Sequence, residues 1–376
     1  MACARSPGRA RLGAAFRCWN EMKILEIWFK DLGFLGAAIL ALGLFAAGLS
    51  VTPPLHAAES SCQFDGVERI VAVGDVHGAY DQLVAILRTA GILDDKLRWS
   101  GGRTHLVQTG DVVDRGPDSR KALDLLEQLP DEARRAGGAV HLLLGNHEVM
   151  RMLGDMRYVV PGEYEAFANA KSEEVREEFI KSADQAVRDQ LLKQTPLGFV
   201  EMRVAFGRNG RYGRELRKQD AVAKINGIMF LHGGVSPGVA DMPCETINAT
   251  VRRELANDED KTREAPLASL SAREDGPLWY RGLAQEPDAF APTVDEILAK
   301  QHAQAIVIGH TVAPDGRIRV RFSGKVFQID TGMQPAYVAT GKPSALEIQR
   351  GVFTAIYPDR RDTLVGEAAQ VPAAAK

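Results

Sequence analysis

Thiols are scarce in this chain. Four cysteines stand in 376 residues and no two of them form a CxxC pair, which argues against thiolate zinc ribbons and CxxC redox chemistry. An excess of positive charge is missing as well: 46 Lys/Arg face 49 Asp/Glu, a formal net charge of -3. Residues 1–57 hold six of the basic and three of the acidic side chains, so the remainder carries 40 against 46. Polyanion binders usually present a basic face, and this balance argues against nucleic acid as a partner while leaving room for a local basic pocket. Neither a disordered nor a fibrous class fits a hydrophobic content of 45%. The length suffices for one large domain or two smaller ones.

Leu32 to Val51 is a charge-free run dominated by Ala, Leu, Gly and Phe, preceded by scattered Arg and Lys and followed by TPPLHAAES. With small residues near Ala57 and Ala58, residues 1–57 read as an export signal cleaved there. A run of about 20 apolar residues also spans a bilayer, so an uncleaved membrane anchor is the competing reading. The stretch ahead of the run is long for a signal, and MKILEIWFKD from Met22 makes a more ordinary start. The expected localisation is periplasmic or extracellular, with membrane anchorage as the alternative. Cys3 and Cys18 fall in this leader; Cys62 and Cys244 lie beyond it and, in an oxidising compartment, either pair or stand as independent thiols.

Beyond the leader one event repeats five times: a short apolar run, then Gly or another small residue, then a side chain able to hold a metal. RIVAVGDVHG brings Asp75 and His77, LVQTGDVVDRG brings Asp111, Asp114 and Arg115, and VHLLLGNHE brings Asn146, His147 and Glu148. IMFLHGG adds His232 and AIVIGH adds His310. Such runs read as buried strands, and YDQLVAILRTAGIL and SRKALDLLEQL between the first three carry helical spacing. Strand, glycine loop, helix, strand is the βαβ rhythm of an α/β fold, in which ligands gather at the carboxyl ends of the strands. Four of the eight histidines occupy these ends. His105 and His141, inside strands, and His302, on a helix, read as structural. One such dipeptide means little; GDxHG, GDxxDRG and GNHE at regular spacing require three independent coincidences.

Asp75, His77, Asp111, Asn146, His232 and His310 together offer two carboxylates, three imidazoles and an amide oxygen. Oxygen and nitrogen donors without thiolate suit Mn, Fe or Zn. Six donors exceed what one catalytic zinc takes and fall short of two closed sites, whereas two metals sharing Asp111 satisfy the count. Two cations ~3.5–4 Å apart activate a water and clamp both oxygens of an in-line displacement at phosphorus. His147 is then placed to protonate the leaving oxygen, Asp114 to orient it, and Arg115 to present a planar fork to phosphate oxygens.

GDVHG, GDVVDRG, GNHE, HGG and GH resemble the signatures of the phosphoprotein phosphatase family of metallophosphoesterases, with a calcineurin-like domain. TPLGFVEMRVAFG, YGRELR, INGIMFLHGGVSP, GPLWYRG and IDTGM look like its bacterial-type branch, the Shewanella-like phosphatases. The resemblance runs from about Val67 to about Tyr357. It implies a four-layer α/β fold, two packed mixed sheets flanked by helices, holding two divalent metals, Mn foremost with Fe or Zn as alternatives. It further implies a phosphomonoesterase that hydrolyses phosphoprotein or aryl phosphate esters by direct attack of a metal-bridging hydroxide, without a phosphoenzyme. On the resemblance, Asp75, His77 and Asp111 are ligands of the first metal, and Asp111, Asn146, His232 and His310 of the second. His147 is its general acid with Asp114 in support, Arg115 one phosphate-binding arginine, and Arg281 of GPLWYRG the second. A dinucleotide polyphosphate hydrolase of the diadenosine tetraphosphatase type is the rival enzyme reading, and a non-catalytic metal-binding scaffold the rival from another class. The expected partner is a phosphorylated protein or small phosphomonoester; phosphotyrosine and phosphoserine/threonine stay open, as does the oligomeric state.

The expected domain spans 63–360, with a helical insert at about 157–222, rich in Glu, Lys, Ala and Arg, and a mobile tail at 361–376.

Overall fold

The computed structural model describes residues 62–256 and 268–366. The expected leader at 1–57, and its alternative as a membrane anchor, therefore lie outside the described residues. Among the described residues, no helix is long and apolar enough to cross a membrane. Among the described residues, two compact units arise: the residues of 62–172 with those of 196–366, which hold both sheets, and residues 173–195.

The larger unit contains twelve strands: β1 (Gln63–Phe64), β2 (Arg69–Val73), β3 (His105–Gln108), β4 (Ala139–Leu142), β5 (Val222–Ile225), β6 (Ile228–Leu231), β7 (Ala305–Ile308), β8 (Arg319–Arg321), β9 (Val326–Gln328), β10 (Ala345–Gln349), β11 (Val352–Ile356) and β12 (Arg361–Val365). They form two six-stranded sheets, ordered β1-β5-β6-β7-β9-β8 and β12-β11-β10-β2-β3-β4. Both are mixed: β2, β3 and β4 run parallel, as do β6, β7 and β9, while β10 joins β2 antiparallel. Helices α1 (Tyr80–Thr89), α2 (Ser119–Arg135) and α3 (Asn146–Leu153) follow β2, β3 and β4. Two mixed sheets flanked by helices make this an α/β fold of the metallophosphoesterase kind.

Strand alternation explains why the central runs are apolar throughout. In β2, Ile70 and Ala72 enter the core shared by the two sheets, whereas Val71 and Val73 enter the core beneath the helices. The same split separates Phe230 from Met229 in β6 and Val307 from Ile306 in β7. A strand covered on both faces shows no polar alternation. Phe327 of β9 and Phe353 of β11 stack across the two sheets, ring centroids 4.4 Å apart. A disulfide joins Cys62, just before β1, to Cys244 at the start of helix Cys244–Ala256.

The stretch at 157–222 contains helix α4 (Pro161–Glu165) and then helices Ser172–Ile180, Gln185–Gln194, Phe199–Phe206 and Arg211–Leu216. The second and third of these make up most of residues 173–195, where Arg188 pairs with Glu177.

One boundary is corrected. Residues 361–376 were expected to be a mobile tail, yet Arg361–Val365 forms β12 and pairs antiparallel with β11, while 367–376 lie outside the described residues. The Tyr357 N–H donates to the Arg360 carbonyl and closes a hairpin turn, and Leu364 and Val365 then pack against the inter-sheet core. Two apolar side chains in a hairpin register were enough to order a segment whose composition looked poor. His302 lies in the turn after helix Ala291–Lys300 rather than on it.

Candidate metal centre

All five polar clusters fall just past the carboxyl ends of β2, β3, β4, β6 and β7, the edge where the parallel strands of both sheets finish. The chain turns sharply there. His77, Asp111, Asp114, Arg115 and His310 all take left-handed backbone conformations, with φ between 49° and 72°. Such strain costs of order 1 kcal/mol or more per residue, and it turns each side chain inward from the strand end. Space is as tight as the backbone. A Cβ on Gly309 would lie 2.4 Å from Asp75 Oδ1, and one on Gly145 2.2 Å from Asp111 Oδ1, so only glycine lets these loops close on the carboxylates.

Asp111 is the hub. Its Oδ2 lies 3.2 Å from His232 Nε2, 3.6 Å from His77 Nε2 and 3.8 Å from His147 Nε2, and its Oδ1 accepts the His147 N–H at 3.0 Å. Donor atoms of His77, Asp111 and His147, and separately those of Asp111, His232 and His310, lie within 4.8 Å of one another. Asp75 completes the first side, Oδ2 standing 3.9 Å from His77 Nε2, and the His310 N–H donates to its Oδ1 at 3.0 Å. Asn146 Oδ1 lies 2.9 Å from His232 Nε2 on the second side. The structure thus brings together all six residues expected as ligands, every one buried.

Hydrogen bonds to the outer ring nitrogens decide what the inner ones can do. His77 Nδ1 donates to the Val113 carbonyl at 2.9 Å, His232 Nδ1 to the Thr109 carbonyl at 2.9 Å, and His310 Nε2 to the Trp279 carbonyl at 3.2 Å. In a neutral imidazole the other nitrogen is then a lone pair facing the carboxylates, the arrangement that metal-binding histidines require. At His232 this leaves three acceptors converging, Nε2, Asn146 Oδ1 and Asp111 Oδ2.

Electrostatics agree. Burial, then the charges of Asp330 and Asp111, push the Asp75 carboxyl well above its usual range, while burial raises Asp330 to about 6. Burial also drops His77 to about 4 and His310 far below the ordinary imidazole range. Asp111 stays ionised: burial works against its charge, but the imidazoles of His232, His147 and His77 hold it well below the usual range. Neutral imidazoles and ionised carboxylates are the forms that bind divalent cations; two cations sharing Asp111 fit the donor set, and their charge would offset the repulsion that raises the Asp75 carboxyl.

His147 stands on the Asp111 side with a partner of its own. Its Nδ1 donates to Asp114 Oδ2 at 2.6 Å, and the carboxylates of Asp111 and Asp114 raise its pKa although burial alone would lower it. Arg115 Nη2 is 3.4 Å from His147 Nε2, and its guanidinium lies over the rings of Tyr337, 3.7 Å, and Tyr158, 4.9 Å. Arg281 Nη1 donates to the His310 carbonyl at 2.9 Å and to Thr311 Oγ1 at 3.1 Å, so this exposed side chain stands beside a ligand of the second group.

Sequence reasoning gave no role to four kinds of residue. Glu148, the last letter of GNHE, accepts the N–H groups of Asp111, Val112 and Gly145 at 2.8–2.9 Å and staples the β3 and β4 loops together. Asp330 sits against Asp75, and its position in IDTGM was the only hint. Tyr158 and Tyr337 rim the site, and Arg151 lies beneath Asp114. A cleft of about 670 Å³ lined by Val67, Ile228, Ala305, Ile348 and Phe353 opens at the amino ends of β6 and β7 and holds none of the metal donors.

The fold and this centre define a metal-dependent phosphoesterase. Residues 68–314 match the model of the calcineurin-like phosphoesterase family. Shewanella-like protein phosphatase 2 of Arabidopsis thaliana is 32% identical over 310 residues, 77% of this chain and 77% of that one. The crystal structure of a cold-active protein-tyrosine phosphatase from a psychrophilic Shewanella species superposes with a TM-score of 0.64 at 29% identity, covering 81% of this chain and 82% of that one. A symmetrical bis(5'-nucleosyl)-tetraphosphatase of Escherichia coli is 39% identical, over 77 residues, 20% of this chain and 22% of that one. The chain belongs to the calcineurin-like phosphoesterase family. It is a metal-dependent phosphatase, and the dinucleotide polyphosphate reading is the weaker one.

Proposed function

We propose that the protein is an exported protein phosphatase acting on phosphomonoesters, aryl esters such as phosphotyrosine foremost, with manganese as its metal. The observation that carries the reading is the convergence on Asp111 of two imidazole groups with His147 at its flank. Asp75, His77 and Asp111 would hold one cation, and Asp111, Asn146, His232 and His310 the other. When bound, the two cations supply Lewis-acid charge and water activation. Asp114 accepts from Nδ1 and, with Asp111, favours the protonated His147 ring, whose Nε2–H is the proton that the departing ester oxygen takes. Arg115 meets the equatorial phosphate oxygens with its fork, and Arg281, tethered to the His310 carbonyl, meets them from the other side.

Support for an aryl leaving group comes from Tyr158 and Tyr337, which are 39% and 43% exposed and flank Arg115 at the mouth. A phenyl ring on the ester oxygen meets these rings edge or face, whereas a serine methylene stops short of them. The protein-tyrosine phosphatase named for the Shewanella structure supports the same preference. The disulfide and the apolar run at 32–51 support export to an oxidising compartment, with membrane anchorage as the alternative.

The test is to strip the metal, restore Mn, Fe or Zn separately, and assay phosphotyrosine peptide, phosphothreonine peptide and a dinucleotide polyphosphate side by side. The expected order places phosphotyrosine first with Mn. Turnover of no phosphate ester under any cation overturns the reading, and fastest turnover of the dinucleotide polyphosphate transfers it to the tetraphosphatase type named for the short Escherichia coli match. Cell fractionation, with the protein expected outside the cytoplasm, tests export.

A further inference from the structure

One fully buried charge has no part in the chemistry above. The Arg151 side chain is 0% exposed, its Nη1 donates to Met202 Sδ at 3.1 Å, and its guanidinium lies 5.1 Å from the Phe206 ring centre. A guanidinium among apolar side chains is costly unless it is paired. Arg151 is paired twice, through Nη2, with Asp114 Oδ1 and with Glu163 Oε2, the latter at 2.9 Å. Glu163 is itself buried, on α4, and Gly162 beside it packs so closely on Pro117 that a Cβ there would lie 2.7 Å from the Pro117 Cβ.

The two oxygens of Asp114 have different tasks. Oδ2 accepts from His147 Nδ1, and Oδ1 accepts from Arg151, so the carboxylate cannot rotate without breaking one bond or the other. His147 and Arg151 stand at i and i+4 on α3, on one face of the helix, and both reach the same carboxylate. Charge alternates along the line Asp114, Arg151, Glu163. Glu163 also shares the guanidinium, which keeps Asp114 from being drawn wholly toward Arg151 and away from the imidazole.

Building on the phosphatase reading, we propose that Arg151 and Glu163 are positioning residues, whose bridge to Asp114 locks the carboxylate that aims His147 at the leaving oxygen. An alkoxide leaving group needs the proton that a phenolate largely does without, so a loosened His147 is felt on alkyl esters first.

The full-length, metal-loaded protein and its Arg151→Met, Arg151→Lys, Glu163→Gln and His147→Asn variants are assayed on a phosphoserine peptide and on p-nitrophenyl phosphate. Arg151→Met is expected to lower kcat on the phosphoserine peptide by about 100-fold, in the range of general-acid effects, and on the aryl ester by less than about 10-fold, with KM unchanged. Glu163→Gln shows the same split more weakly, and Arg151→Lys recovers part of the alkyl activity. In the metal-free protein, the imidazole proton shared with Asp114, assigned by its loss in His147→Asn, gives a downfield NMR line that persists in Arg151→Lys and is broadened away in Arg151→Met. Equal losses on both esters in Glu163→Gln and Arg151→Lys overturn the inference, as does an NMR line indifferent to Arg151. If Arg151→Met does not fold, those two variants decide alone. A wild-type protein inert on both esters overturns the phosphatase reading instead, and an active wild type with uniformly weakened variants overturns only the positioning role.

Discussion

Opening the Cys62–Cys244 bond should cost this protein a large share of its stability. The bond closes a loop with a sequence separation of 182, and the chain-entropy estimate for a loop of that size is roughly 5 kcal/mol at 25 °C. Both cysteines are buried, and β1, which Cys62 introduces, is only two residues long and pairs at the sheet edge with β5. The backbone bonds of β1 are too few to hold that end of the chain without the link. The assay is urea unfolding of oxidised protein, dithiothreitol-reduced protein, Cys62→Ala, Cys244→Ala and the double variant. Reduction and each variant should lower the unfolding free energy by about 3–5 kcal/mol, with the double variant no worse than either single, because a loop opens only once. Single-variant losses that add, or a urea midpoint blind to reduction, would refute the cross-link and remove one support for export.

Three further outcomes are expected. His147→Asn should lower kcat on a phosphoserine peptide by about 100-fold or more but spare aryl phosphates by comparison; equal losses, read by steady-state kinetics, contradict the proton-donor role. Asp111→Asn should abolish binding of both cations, and His310→Ala the binding of one, when metal content is measured by mass spectrometry after dialysis; an unchanged ratio for Asp111→Asn rejects the shared carboxylate. Burial, with His105 Nδ1 only 3.0 Å away, holds His141 down to about 4. The unfolded chain then binds a proton that the fold refuses, so this contribution to stability is lost as pH falls from about 6.5 toward 4. Allowing for its half-buried position, the loss is on the order of 2 kcal/mol, and His141→Gln should remove it in urea titrations across that window.

The candidate ligands were legible because chemistry and punctuation coincide at strand ends. An apolar run such as Ile70–Val73, a glycine, and then Asp75 and His77 announces both where the strand stops and what it delivers. The sheet pairing was not legible. The core strands are covered on both faces, so their runs show no alternation from which to read which neighbour they face. The three-residue strands Arg319–Arg321 and Val326–Gln328 fall below any periodic signal, and β12 was misread because composition counts apolar residues while a hairpin needs only two in register. The cysteine pairing was likewise open in the sequence, since spacing carries no geometry. It was settled by the parallel pairing of β1 with β5, whose first residue Val222 is held to helix Cys244–Ala256 by Asn248.

What lay hidden longest was the support behind the catalytic candidates. The sequence NHEVMRML does show that Arg151 shares a helix face with His147, but that alone reads as a solvated arginine on an active-site helix. Whether that face is wet or dry is decided by Met202 and Phe206, about fifty residues downstream, and by Glu163 on a five-residue helix too short to stand out. Once those residues close over it, the buried guanidinium has two carboxylates within reach. It then becomes a fixed strut. The insert between GNHE and HGG is therefore tied to the candidate site at its first turn, Pro161–Glu165, because the Glu163 carboxylate completes the line of charges that begins at His147.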